Sequence, residues 1–335
     1  MHVLWNFIKY FLVIIFAMIL FVYVIVWIMS FRTYPVEYGL TYNYRHAEYL
    51  GLDWRATYEE MLRDLRPKYL RLTVAWNDIE KEPGKFDYAD MDFLMDRARD
   101  YGAKVTLVVG QKAPRWPECH VPEWANSLAN TDYRKSLSLY VKNTVERYSK
   151  HSALEIWQVE NEPYIKFKFG ACLGFDEEIV AEEIALVKNL DPKHEIIVTD
   201  SGELSDWREA ASAADKFGVT LYRRVRTPNN YIWSYSWIPA GWYTLHAFLV
   251  GRNPADMYIM ELQAEPWFSD ASVMDTPLAI QYRTMSLKYF EKNLDYVTHI
   301  GTPRAYLWGV EWWYWMRDKQ NVTGFLDMAR EALRK

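Results

Sequence analysis

Two glutamates in this chain each close an apolar run. The first stands in Ile156-Trp157-Gln158-Val159-Glu160-Asn161-Glu162-Pro163. Pro163 has no N–H for a ladder and biases Glu162 away from helix, so Glu162 reads as the tip of a buried strand entering a loop. The second, Glu261, closes Met257-Tyr258-Ile259-Met260. Two carboxyl groups across one cleft suit the breaking of a glycosidic bond: one delivers a proton and the other meets the developing cation. The plain alternative is two ordinary surface ion pairs. Glu265 competes with Glu261, because Glu265-Pro266 imitates the Glu162-Pro163 pair. Glu261 is preferred because it ends the apolar run directly.

Stepping from these residues to the elements that must hold them, short apolar runs alternate with longer amphipathic ones. Strands are expected at 36–41, 69–74, 104–110, 153–159, 195–199, 218–222, 257–262 and 304–308. Helices are expected at 57–65, 90–101, 133–148 (with Asp132 as N-cap), 176–189, 206–215, 242–250, 277–297 and 323–333. Eight such alternations predict an α/β chain with a parallel sheet closed into a (β/α)8 TIM barrel. An open doubly wound sheet is the alternative, and no Gly-rich phosphate turn follows strand one to support it. In a barrel the chemistry sits at the C-terminal strand ends. Those ends carry Arg71 with Trp76, Gln111, Asn161 with Glu162, Asp200 with Glu203, Tyr222, Glu261 with Gln263 and Glu265, and Trp308 with Glu311. The polar and aromatic character of this set fits a sugar cleft.

Three stretches carry a family resemblance: Asn161-Glu162-Pro163, the loop from Ala75-Trp76-Asn77 to Phe86-Asp87-Tyr88, and Tyr258 to Gln263. They resemble clan A, the (β/α)8 retaining glycoside hydrolases that include the cellulase-like families and the family 42 β-galactosidases. The resemblance implies that Glu162 is the acid/base, Glu261 the nucleophile, Asn161 a contact to the sugar ring, and Arg71 a hydrogen-bond donor to the nucleophile. For Arg71 the alternative is a pair with Glu160. Trp76, Gln111, Tyr222 and Trp308 complete the expected substrate-binding set. The chain departs from the clan at strand three, where some families place a His and Gln111 and Lys112 stand here. Asn161 and Glu162 are neighbours, so strict alternation aims them at opposite faces. Both serve one site only if the strand tip twists or bulges.

The remaining features place the chain. Its 335 residues allow one large barrel, taken as 36–335 after an anchor and linker at 1–35. A net charge of −5 argues against nucleic acid as partner. Aromatics make up 17% of the chain, which fits either a Trp-rich core or sugar-stacking surfaces. From Tyr10 to Phe31 no residue is charged, long enough to cross a bilayer. No small-residue cleavage site follows, so an uncleaved transmembrane anchor is expected rather than a signal peptide. The bulk of the chain is expected outside the cytoplasm. The seven histidines form no close pair, and neither a metal nor another cofactor is expected; His246 reads as packing. The expected partners are an oligo- or polysaccharide substrate and the membrane. Cys119 and Cys172, on loops after consecutive barrel strands, are expected to form a disulfide in an oxidising compartment. The expected activity is a membrane-anchored retaining β-glycosidase or endo-glycanase; the rival is a membrane-tethered carbohydrate-binding barrel without turnover.

Overall fold

The computed structural model describes residues 2–166, 172, 175–227, 229–267 and 272–334. Among the described residues ten strands occur in chain order: β1 Glu37–Tyr42, β2 Tyr69–Thr73, β3 Lys104–Val109, β4 Leu154–Val159, β5 Glu195–Asp200, β6 Lys216–Leu221, β7 Arg224–Arg226, β8 Ile232–Ser234, β9 Met257–Gln263 and β10 Arg304–Trp308. Eight of them close a parallel barrel in the order β1-β10-β9-β6-β5-β4-β3-β2. The short pair β7 and β8 forms an antiparallel hairpin inserted between the sixth and seventh barrel strands. The chain therefore folds as a TIM barrel, and its side chains fill the middle. Tyr69, Ile156, Ile197, Tyr258, Met260 and Tyr306 make an apolar plug inside the strands. A larger cluster packs the outer faces of the strands against the helices.

The barrel interior turns polar toward the C-terminal strand ends, where Arg71, Gln158 and Thr199 are fully buried. Such groups cost free energy unless each is hydrogen-bonded. Arg71 Nε donates to Gln158 Oε1 at 2.8 Å, and Gln158 Nε2 donates to the Glu160 carbonyl at 2.8 Å.

Several elements differ from the expected ones. The helix expected from Tyr133 begins at Asn130, so Asp132 lies in its first turn and does not cap it. The single helix expected at 277–297 is two, Leu278–Gln281 and Leu287–Val297, and the Ser286 side chain caps the second. A helix at Val310–Gln320 was not expected. Its residues from Val310 to Met316 are all buried, so it has no polar face for a helical period to mark.

The N-terminal helix, His2–Met29, is the one helix among the described residues long and apolar enough to cross a membrane. A membrane anchor and a signal sequence both meet that test.

Candidate active site

The two glutamates reach the cleft because the backbone departs from regular strand on both sides. On β9 the register slips by one residue: Val219 pairs with Ile259 and Thr220 with Glu261, so Met260 is bulged out of the ladder. The bulge lets Met260 join the interior plug while Glu261 also turns inward. At the tip of β4, Glu160 and Glu162 both have positive φ, 59° and 44°. Those two left-handed residues rotate the tip and place Asn161 and Glu162 in one network. Positive φ at a residue with a Cβ is strained, and surrounding contacts must hold it. They do: the Glu160 carboxylate accepts from the backbone N–H of Gln111 at 2.8 Å and of Lys112 at 2.6 Å. Gly110 makes room for this, since a Cβ there would lie 2.4 Å from Glu160 Oε1.

Arg71 is the hub. Its Nη1 lies 2.9 Å from Glu261 Oε1, and its Nη2 donates to Asn161 Oδ1 at 2.8 Å. The guanidinium makes no bond to Glu160, so that alternative pairing does not form; the backbone donors of Gln111 and Lys112 take Glu160 instead. The other oxygen of Glu261 accepts from the Tyr222 hydroxyl at 2.6 Å. Glu261 is thus held by a cation on one side and a phenol on the other.

Glu162 sits in a different setting. Thr220 Oγ1 donates to its Oε1 at 3.0 Å, and its backbone N–H donates to Thr199 Oγ1 at 2.9 Å. Burial, and after it the negative charge of Glu261, push the Glu162 carboxyl well above the ordinary carboxylate range. Lys112 Nζ bonds the Glu162 carbonyl at 2.9 Å, and its charge offsets this in part. One carboxyl raised by burial and another ion-paired to Arg71 can act as acid and nucleophile.

Glu265 belongs to a separate cluster. Arg115 grips both its oxygens and also donates to Glu311 Oε2 at 3.0 Å. The Arg115 guanidinium lies over the Trp308 ring, 4.2 Å from its centroid. Trp308 therefore reaches the rim, with Arg115 covering one face of its ring.

Two expected substrate contacts are corrected. Trp76 has no exposed surface; it stacks on Tyr140, with ring centroids 5.8 Å apart, and donates to Glu80 at 2.7 Å. Its ring belongs to the core between strand two and the helix Asn130–Tyr148. Gln111 is also fully buried, and its Oε1 accepts from Tyr133 of that same helix. Asp200 and Glu203 stay near the rim and are pushed up by burial to about 6 and about 7. Glu203 accepts from the Tyr222 backbone at 2.9 Å and the Tyr243 hydroxyl at 2.8 Å, so it braces Tyr222. Thr220, Lys112 and Trp267 were not anticipated as site residues. Thr220 was open to detection, since it lies two residues before Tyr222 and so on the same face of strand six. Trp267 meets the Tyr222 ring edge to face at 4.6 Å, a contact across loops that sequence spacing does not encode.

Cys119 and Cys172 are joined as a disulfide, with Cα atoms 5.4 Å apart. It ties the loop after β3 to the loop after β4. Glu118, beside it, faces Lys112 Nζ at 3.7 Å and is raised by burial.

Comparison with known proteins finds partial likenesses. Residues 73–171 match the model of Glycosyl hydrolase family 10, a segment that holds Asn161 and Glu162 and ends before Glu261. The chain is 24% identical to mannan endo-1,4-beta-mannosidase A of Aspergillus aculeatus over 185 residues, 47% of this chain and 46% of the mannosidase. The structure of a GH5_18 protein from Streptomyces cattleya superposes with a TM-score of 0.58 at 11% identity, covering 83% of this chain and 71% of the other. A psychrophilic family 10 endo-beta-1,4-xylanase superposes with a TM-score of 0.52 at 14% identity, covering 82% and 86%. Over part of its length the chain is thus similar to glycoside hydrolases, and over most of it to their barrel. It spans less than half the length of the mannosidase it matches. At these identities the structural likenesses speak for the barrel alone.

Proposed function

We propose that the chain is a membrane-anchored retaining β-glycosidase or endo-glycanase, with 36–335 as its catalytic domain outside the cytoplasm. The observation that carries this reading is the contrast between the two glutamates. Glu261 is ion-paired to Arg71 and bonded by Tyr222, while burial and the Glu261 charge keep the proton on Glu162. In the first step Glu261 attacks the anomeric carbon. The bond to the leaving oxygen breaks, and that oxygen takes the proton of Glu162. In the second step Glu162 deprotonates water, which displaces Glu261 and frees the sugar. Asn161, fixed by Arg71, is the candidate contact to the sugar ring. Relatives whose names describe mannan and xylan hydrolysis support a β-linked polysaccharide as the substrate class.

The anchor reading rests on packing. The last turns of the N-terminal helix are seated on the barrel: Val26 is buried, and Tyr23 donates to the Trp237 carbonyl at 2.9 Å. Cleavage after residue 30 would strip this surface.

The deciding experiment is hydrolysis of aryl β-glycosides and a panel of β-linked polysaccharides, with the anomer formed first read by proton NMR. Retention supports the two-step mechanism, and inversion refutes it. Sugar binding without turnover would favour the non-catalytic barrel.

A further inference from the structure

A cavity of about 680 Å³ lies where the N-terminal helix meets the barrel. Tyr23, Trp27 and Ser30 of that helix form one wall; the segment from Ser234 to Ala240 and the helix Leu287–Val297 form others. The helix is fixed there by short-range contacts. Ser30 Oγ accepts from Gly241 N–H at 2.8 Å, and the Tyr23 hydroxyl reaches Trp237. Only glycine fits at 241, because a Cβ would lie 2.1 Å from the Val26 carbonyl oxygen. The apolar residues before Tyr23 project from this seat, almost all of them exposed.

The cavity's charge is unbalanced. Arg224, Lys288 and Lys292 line it, and none forms an ion pair among the described residues. Arg224 Nε donates to the Arg283 carbonyl at 3.1 Å, and its guanidinium lies 4.3 Å from the Tyr289 ring centroid. Asp295 is the one carboxylate among the described lining residues, and it faces His299 at 3.6 Å. Ser234 and Ser236 add hydroxyls. Trp237 of the lining is 58% exposed, and Trp233 and Tyr231 of the neighbouring hairpin are 46% and 66% exposed, a costly arrangement in water and the usual one at a membrane interface.

A basic cavity walled by a membrane-crossing helix and rimmed by Trp and Tyr fits one class of ligand. We propose that it binds the headgroup phosphate of an anionic phospholipid, from the leaflet in which the N-terminal helix ends. Lys288, Lys292 and Arg224 face the phosphate, and Tyr23 and Trp27 lie against the glycerol and upper acyl carbons. Lys and Arg beside a membrane surface attract anionic headgroups by charge, whichever leaflet carries them. The proposal rests on the anchor reading and is independent of the catalytic one. A lipid is chosen over free phosphate because one wall of the cavity is the membrane helix itself.

The test uses the full chain in detergent, with phosphatidylglycerol or phosphatidylcholine added and retained lipid counted by native mass spectrometry. One phosphatidylglycerol is expected to be retained in preference to phosphatidylcholine. The double variant Lys288→Ala/Lys292→Ala should weaken that retention roughly tenfold or more. Both lysines are exposed, so thermal unfolding and barrel activity should not change. Equal retention of the two lipids, an unaffected double variant, or displacement of the lipid by millimolar inorganic phosphate would each overturn the proposal. Flotation with vesicles separates the two readings. A chain that floats without preferring phosphatidylglycerol loses the headgroup site alone. A chain that floats with neither lipid loses the anchor, and the headgroup site with it.

Discussion

At the scale of single residues, the site depends on how charge is divided between Glu162 and Glu261. Glu162→Gln should lower turnover of substrates with poor leaving groups by about 10²–10⁴-fold, the usual worth of a positioned acid, with thermal unfolding unchanged. The coupling is measurable without turnover. In Glu261→Gln the repelling charge is gone, so Glu162 ionises more easily and its carbon-13 carboxyl resonance should titrate at lower pH than in the native chain. An unmoved or higher midpoint would show that Glu261 does not set the state of Glu162. Arg71 offers a stability readout. Arg71→Met leaves the buried Glu261 carboxylate without its cation and should cost about 3–5 kcal/mol in chemical denaturation. A loss below about 1 kcal/mol would mean that water replaces the guanidinium.

At the scale of elements, the strand tips decide the site, and they are where sequence reasoning stopped. The eight barrel strands were legible because each is a short apolar run bounded by turn residues, and Glu162 and Glu261 stood out at their ends. The bulge at Met260 was not legible, because nothing in Tyr258-Ile259-Met260-Glu261 marks which residue leaves the ladder. Trp76 and Gln111 were misplaced for a related reason: position after a strand gives proximity to the rim, while side-chain direction depends on the helix Asn130–Tyr148 packed behind them. The twisted tip of β4 has a cost that can be measured. Glu160, raised by burial to about 7, lies against Glu183 of the helix Glu177–Leu190, whose carboxyl is raised further by burial and by the Glu160 charge. A carboxyl raised in the folded state holds its proton while the unfolded chain releases its own. Stability from this pair is therefore present below about 4.5 and declines as pH rises toward about 7. Glu183→Gln should flatten that decline, seen as a smaller loss of melting temperature between pH 5 and 8.

At the scale of the whole molecule, two restraints hold the barrel. One is the Cys119–Cys172 bridge, which closes a segment of 53 residues. Its reduction should lower stability by about 3–4 kcal/mol in the chain-entropy model, checked by denaturation with and without reductant. The other is the seat of the N-terminal helix at Gly241. Gly241 opens the helix that follows the hairpin, and one turn further Thr244 donates to the Ile300 carbonyl at 2.7 Å. If the N-terminal helix is the proposed anchor, only residues 30–36 separate it from β1, and the barrel has little vertical reach. In that placement the proposed cleft would work within a thin layer above the lipid, where a lipid-linked or surface-bound glycan is met by sliding in two dimensions and a polymer free in bulk solution is met seldom. Selection among glycans then begins with their height above the membrane, before any sugar enters the cleft.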